Sequence, residues 1–334
     1  MLTEDALTAQ FPRLRFAQLP TPLEEAPRLG AALGGVRVLI KRDDLTGLAL
    51  GGNKARKLEW LVGEAKARGA DCVITLGAGQ SNHCRQTAAA AARAGLDCYL
   101  ILSPPFHGEG QGNLLLDDLL GATIVRVESG DAVERATDDL LKRLRAEGRQ
   151  PYLIPVGGSN PVGALGYVLC ALELHDQLAR LGATPSHVFV ASGSAGTQGG
   201  LLVGARAAGD RYRIVGISPG SKAADVISRV LAVANATAEK IGLPDRFGLS
   251  DVLVDDAYTG PAYGTLTAEC SAAIRLLART EGILLDPVYA GKAMAGLIDY
   301  VRRGVIPRDS TVVFIHTGGT PALFAYAAEL RGAH

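Results

Sequence analysis

The sequence predicts an α/β protein whose parallel sheets are covered by helices on both faces. Short β-branched runs alternate with Ala/Leu/Arg-rich stretches along most of the 334 residues. Apolar residues make up 48% of the chain and charged residues 20%, which is ample material for buried sheets. Alternation of this kind is the pattern of layered α/β folds.

The elements follow in order. VRVLIKRDD is strand-like, and NKARKLEWLVGEAKARG then carries Leu58, Leu61, Val62 and Ala65 at helical spacing. DCVITLG reads as a strand, the Ala-rich run at 86–95 as a helix, and CYLILS, NLLLDDLLG and ATIVRVE as strand, helix and strand. A charged helix at 131–147 and PYLIPVG close that series. A helix at 163–181, the strand HVFVASGS, a helix at 198–208 and the strand RIVGIS come next. Helices at 267–281 and 291–303 and the strand TVVFIHTGG complete the pattern. No Pro/Ser-rich linker or fixed-period repeat divides the chain, so composition marks no domain boundary. Ligands of such folds sit beyond the carboxyl ends of the strands, so the loops that follow strands are where chemistry is expected.

Composition narrows the class. Lys plus Arg and Asp plus Glu both total 34, leaving no formal charge. A nucleic-acid binder usually shows a basic excess and a disordered chain a large net charge, so neither is expected. Cys72, Cys84, Cys98, Cys170 and Cys270 are odd in number and form no C-x-x-C pair. That argues against a zinc ribbon or a disulfide framework, and for buried thiols in a reducing compartment. The opening MLTEDALTAQFPRLRF carries early acids and no apolar segment, and no stretch approaches the ~20 apolar residues a membrane span requires. The expectation is a soluble cytoplasmic protein. Histidines show no H-E-x-x-H spacing, so no metal is expected, and there is no G-x-S-x-G elbow.

Several segments could carry chemistry. In KRDDLTGLALGGNKARKLEW a glycine pair precedes Asn53 and Lys54, and a helix follows. A lysine at a helix start opposes the macrodipole, and a nearby anion would relieve the conflict. A solvated surface lysine would read the same at this one position. LGAGQSNHCRQT gathers Gln80, Ser81, Asn82 and His83 where a strand ends and a helix opens. It reads equally as an anion cradle or as a plain N-cap. ASGSAGTQGGLLVG has the small-residue composition of a phosphate cup. It is neither a Walker motif nor G-x-G-x-x-G, because position 195 is Ala, so a small cofactor's phosphate fits better than a nucleotide's. Tyr263 in TGPAYGT, Tyr289 in LLDPVYAGK and Thr317 in IHTGGTPALF stand in loops beside glycine or proline.

Together these blocks, with PVGGSNPVGALGY, resemble the fold-type II (tryptophan synthase β-like) pyridoxal-phosphate family that contains D-cysteine desulfhydrase and 1-aminocyclopropane-1-carboxylate deaminase. The likeness runs from about Phe16 to Tyr326. It implies two open twisted parallel-sheet domains with pyridoxal 5'-phosphate between them: 1–49 with 164–334 as the larger, and 50–163 as the smaller. It implies a Schiff base at Lys54, which later moves protons, with Asn82 on the cofactor's phenolic oxygen and Ser81 at the substrate carboxylate. Asn53, Lys57 and the loop Gly193, Ser194, Ala195, Gly196 and Thr197 would hold the phosphate. Tyr289 would stack near the ring, Tyr263 would be a second active-site hydroxyl, and a homodimer is implied.

The resemblance also bears on the reaction. The deaminases carry Glu after the Tyr of LDPVY and Leu after the His of the last block, whereas this chain has Ala290 and Thr317. Desulfhydrases often have Thr or Ser where Ala290 stands, which puts the pocket's detail in question. A neutral hydroxyl beside the pyridine nitrogen makes a weaker electron sink than a carboxylate, yet sufficient to expel thiolate from a β-carbon. The expectation is α,β-elimination from D-cysteine to pyruvate, hydrogen sulfide and ammonia, with Lys54 or Tyr289 moving the proton. Sulfite elimination from L-cysteate, with His83 and Ser159 meeting the sulfonate, and aminocyclopropane carboxylate deamination are the alternatives. A cofactor-free small-anion binding protein is the reading from a different class.

Overall fold

A computed structural model of the chain describes residues 2–108 and 110–332. In chain order the strands are β1 (Leu23–Glu25), β2 (Arg37–Lys41), β3 (Cys72–Ala78), β4 (Asp97–Ser103), β5 (Thr123–Arg126), β6 (Pro151–Leu153), β7 (Pro185–Ala191), β8 (Arg213–Ile217), β9 (Leu253–Asp255) and β10 (Thr311–Ile315). They form two sheets, ordered β1-β2-β10-β7-β8-β9 and β5-β4-β3-β6. Every pairing is parallel except β1 with β2. The smaller sheet lies wholly between β2 and β7 in the sequence, so the chain leaves the larger sheet once and returns.

Successive side chains of a strand point to opposite faces, and both faces of the larger sheet are covered. Val188 and Val190 of β7 enter one core cluster with Leu165 and Leu201. Phe189 and Ala191 enter the other with Met294 and Leu297. Val313 and Ile315 of β10 face the first cluster, and Val312 and Phe314 the second. Continuous apolar runs are the result of this two-sided burial.

Three departures from the sequence reading have physical reasons. The antiparallel edge strand β1 is only Leu-Glu-Glu, too short and too polar to carry a period. The helix Ala223–Lys240 was not anticipated, although Val226, Val230, Ala234 and Ala238 recur at helical spacing and are buried. Helices also start earlier than periodicity places them. Asn82–Ala94 begins at the polar pair Asn82-His83, and Gly196–Ala208 at Gly196-Thr197. Their first turns carry polar or small side chains and therefore no apolar stripe. All five cysteines are free and buried. Among the described residues no helix is long and apolar enough to cross a membrane.

Candidate active site

The carboxyl ends of β3, β4, β7, β8 and β10 converge on a cavity of about 750 Å³, so strands of both sheets contribute to one site. Asn53, Lys54, Ser81, Asn82, His83, Ser159, Gly193, Ser194, Ala195, Thr197, Tyr263, Tyr289 and Thr317 all line it. Lys54 and Arg229 are its cationic lining residues, and no described carboxylate lines it.

Lys54 opens the helix Lys54–Ala67 after a turn in which Gly51 and Gly52 have φ of +69° and +126°. A Cβ at Gly52 would lie 2.6 Å from Gln86 Nε2, so only glycine lets this turn press against the Asn82–Ala94 helix. The Lys54 amine donates to the Gly157 carbonyl at 3.4 Å, and burial pulls its pKa down to about 8. Lys57, one turn later, lies behind the cavity and donates to the same carbonyl at 3.0 Å. Burial, and then the neighbouring Lys54, holds its pKa well below the ordinary lysine value. Gly157 has a φ of +65°, and a Cβ there would come within 2.0 Å of Ser194 Oγ. The shared acceptor thus depends on a glycine.

The 193–197 loop leads into the helix Gly196–Ala208, whose first amides have no intrahelical partner. Ala195 has a φ of +74°, and the Gly196 amide closes onto the Ser194 carbonyl at 3.0 Å, a γ-turn of the strained type. Backbone of this kind costs on the order of 1–3 kcal/mol and collects at ligand sites. The Asn53 side chain donates to Thr197 Oγ1 at 3.0 Å.

Four expected placements need correction. Ser159, expected at the substrate, has its hydroxyl on the 193–197 loop. It donates to Ser194 Oγ at 2.8 Å and accepts from the Gly196 amide at 3.1 Å. Lys57 and Gly196 belong to the loop's far side and do not line the cavity, because a Cβ at Gly196 would already meet Ser159 Oγ and Lys57 Nζ. His83 is not a cationic donor. Burial, and then Lys54 and Lys57, holds its imidazole well below its usual pKa. Its Nε2 meets Thr75 Oγ1 at 2.8 Å, and Thr75 donates on to the Ile154 carbonyl.

Ser81 lines the cavity, and its Oγ accepts from the Cys84 amide at 3.2 Å as the N-cap. Asn82 Oδ1 accepts from Asn113 Nδ2 at 2.9 Å, which turns the Asn82 amide nitrogen outward as a donor. Asn113 is fixed in turn by Gln80 and Arg85. The hydroxyls of Tyr263 and Tyr289 are in contact, with the ring centroids 6.0 Å apart and nearly edge to face. Burial pushes both phenols up, with the partner phenol adding to the rise at Tyr263. Ala290 is fully buried in the second core cluster and does not line the cavity.

Ser192, Arg229, Asn113 and Asp286 were not singled out in the sequence. Asp286 lay inside a quoted block, and Arg229 on the unanticipated helix. Ser192 lay inside the quoted ASGSAGTQGG block, and Asn113 carries no local pattern that distinguishes it.

Residues 14–318 match the model of the family described as pyridoxal-phosphate dependent enzyme. The chain belongs to that family. The enzyme is 47% identical to a D-cysteine desulfhydrase of Serratia proteamaculans, over 96% of this chain and 98% of the relative. It is 48% identical to a D-cysteine desulfhydrase of Yersinia enterocolitica, over the same shares of both chains. Among solved structures it is similar to an ACC deaminase homologue, with a TM-score of 0.91 and 37% identity across the whole of both chains. A threonine deaminase from Solanum lycopersicum, at 20% identity and a TM-score of 0.70 over 99% of this chain and 87% of that one, shares the fold.

The residues present fit pyridoxal phosphate. A buried amine held near pKa 8 is a competent nucleophile for an aldehyde, and the strained loop at a helix start is a cradle for a phosphate. Family membership replaces the reading as a cofactor-free anion binder.

Proposed function

We propose that this enzyme catalyses α,β-elimination from D-cysteine, releasing pyruvate, hydrogen sulfide and ammonia. The observation that carries the substrate is the name of relatives 47% and 48% identical over nearly the full chain. The site supports the reaction type, since Thr317 brings a neutral hydroxyl to a cavity whose described lining has no carboxylate.

When bound, pyridoxal phosphate supplies an electron sink for the bonds at the substrate's α-carbon. The free amides after Gly196 at the start of the Gly196–Ala208 helix, with Asn53 and Thr197, would hold its phosphate, and Lys57 supports the site from behind through its bond to the Gly157 carbonyl. Lys54 is the lysine that joins it. An amine with a pKa of about 8 is unprotonated in part of the molecules at neutral pH, so Lys54 takes the α-proton. Ser81 receives the substrate carboxylate, and the outward Asn82 amide orients the cofactor's phenolic oxygen. Tyr289 keeps its proton, because burial raises its phenol, and so acts as donor to the departing sulfur. The touching Tyr263 hydroxyl steadies that phenol.

A second reading, sulfite elimination from L-cysteate, is favoured by Arg229. Its guanidinium reaches the Gly193 carbonyl at 3.4 Å on the cavity wall, where a sulfonate would find a cation. Pyruvate formation from D-cysteine, L-cysteate and aminocyclopropane carboxylate, after the cofactor's absorbance has been recorded, tests these readings together. Turnover of D-cysteine fastest of the three supports the proposal, and a preference for L-cysteate overturns it.

We take residues 50–163 as the small domain, facing 1–49 and 164–334 across the cavity, and the active form as a cytoplasmic homodimer. Five free buried thiols support a reducing compartment. Exposed Leu50, Leu115, Leu119 and Phe324 support self-association. They gather where Arg85 ties Asn113 to the Ala49–Gly51 turn and where Gly112 packs on Pro321 and Ala325. Leu119→Glu with Phe324→Glu should convert a dimer to a monomer in sedimentation velocity.

A further inference from the structure

The block that holds Tyr289 contains a carboxylate to which neither the fold nor the proposed reaction assigns a task. Asp286 is fully buried. Its Oδ2 accepts from the amides of Val288 at 3.0 Å and Tyr289 at 2.9 Å, and its Oδ1 from Ala290 at 2.7 Å. Its own carbonyl accepts from the Gly291 amide at 2.9 Å. Four consecutive amides therefore end on one residue. Those of Tyr289, Ala290 and Gly291 are orphan donors at the start of the helix Ala290–Arg302, and a carboxylate suits that positive end.

Asp286 is held from outside as well. Gly319, with φ of +103°, packs so closely that a Cβ there would lie 2.6 Å from Asp286 Cβ and 2.8 Å from Asn82 Nδ2. The carboxylate is thus wedged between the Tyr289 turn and the loop after β10. Lys292, on the same helix, donates to the carbonyls of Pro219 at 2.9 Å and Thr259 at 2.6 Å, tying in the segment that leads to Tyr263.

We propose that Asp286 is the positioning residue of Tyr289: by gathering the amides of 288–291 it holds that phenol against Tyr263 and facing the cavity. The proposal rests on the reading of Tyr289 as proton donor. Asp286 does not line the cavity, so it acts through Tyr289 rather than on the substrate.

A double-mutant cycle with Asp286→Asn and Tyr289→Phe tests it, because residues that act as one unit give non-additive losses. Asparagine keeps the shape but only one acceptor oxygen. Asp286→Asn should lower kcat about tenfold with KM within about twofold, a part of the roughly 10²–10⁴ that positioned acid–base help supplies. In the Tyr289→Phe background the same change should cost nothing further. Hydrogen exchange of the full-length protein should show faster exchange at 288–290 in Asp286→Asn, with the melting temperature little moved. Multiplying losses, or unchanged exchange at these amides, would overturn the proposal. Full activity in Tyr289→Phe together with faster exchange in Asp286→Asn would sink the proton-donor reading alone, leaving Asp286's hold on the turn intact. Should Asp286→Asn fail to fold, Asp286→Ser, a smaller acceptor, takes its place in the cycle.

Discussion

Asn53 donates its side-chain amide to the Thr197 hydroxyl at 3.0 Å, joining the turn before Lys54 to the helix that starts at the 193–197 loop. One residue belongs to the segment that leaves the larger sheet and the other to the segment that returns to it. The contact therefore sets how far the lysine stands from the phosphate cradle. Thr197→Val keeps the shape and removes the hydroxyl. A single hydrogen bond is worth about 0.5–1.5 kcal/mol, so cofactor affinity should fall roughly two- to tenfold. Equilibrium titration of the apoprotein with pyridoxal phosphate measures it, and unaltered affinity would remove Thr197 from the cradle.

Lys54 gives a pH dependence with a definite sign. Burial lowers the amine's pKa from its ordinary 10.5 to about 8, so the neutral nucleophile accumulates as pH rises through 8. The rate at which apoprotein captures pyridoxal phosphate should rise between about pH 6 and 9, with its midpoint near 8, and level off above about 9. An exposed lysine would still be accelerating at pH 10. Stopped-flow absorbance reads the profile directly. In Lys54→Ala the slow covalent phase should vanish while phosphate-dependent binding persists.

Much of this site was legible because chemistry in α/β folds collects after strands. Lys54, Ser81, Asn82, Tyr289, Thr317 and the 193–197 segment stand in loops or at the helix starts that follow them, where glycines and small polar residues advertise them. Ser159 lines the cavity as expected of a site residue, but its bond to Ser194 was not legible, because sequence shows Gly157 and Gly158 without the direction of the turn they make at positive φ. Asp286 escaped because its partners are backbone amides, which every residue has. Arg229 escaped with its helix, whose buried stripe of valines and alanines is interrupted by polar residues. The antiparallel β1 edge left no period to read.

Thr317 and the deaminases' leucine offer a second test. Thr317→Leu deletes the hydroxyl from the cavity wall and should depress D-cysteine elimination by up to about tenfold, the upper end of one neutral hydrogen bond. The cofactor's absorbance maximum should move as well. Undiminished turnover would show that position 317 does not tune the reaction. Glutamate at Ala290 is a different matter, since that side chain is packed in the core beside the Asp286 carboxyl, and a second carboxylate there would be repelled.

Arg56, two residues beyond Lys54, should govern stability. Its guanidinium is buried and bonds both oxygens of Asp43, at 2.9 and 2.8 Å, and both of Glu173, at 2.9 and 3.0 Å. Lys41 also pairs with Glu173, and Tyr167 donates to Asp43 at 2.5 Å. Removing one member of a buried network leaves charge uncompensated, at a cost of about 3–5 kcal/mol. Arg56→Met should lower the urea midpoint of the apoprotein accordingly. Adding Asp43→Asn, which leaves Lys41 paired with Glu173, should restore much of it.

Strand β10 lies in the middle of the larger sheet, with Arg37–Lys41 on one side and Pro185–Phe189 on the other. During synthesis β2 and β7 therefore emerge with no strand between them, and wait until Thr311–Ile315 has been made before the gap closes. The four-stranded sheet is made of near neighbours in sequence and can assemble long before that. Thr317, and Gly319 against Asp286, arrive with the closing strand. A ribosome-bound chain halted before residue 311 would thus carry Lys54 and the 193–197 loop but have no finished pocket. Cofactor loading accordingly waits for β10, and a protease able to reach the open seam has its opportunity only until that strand is seated.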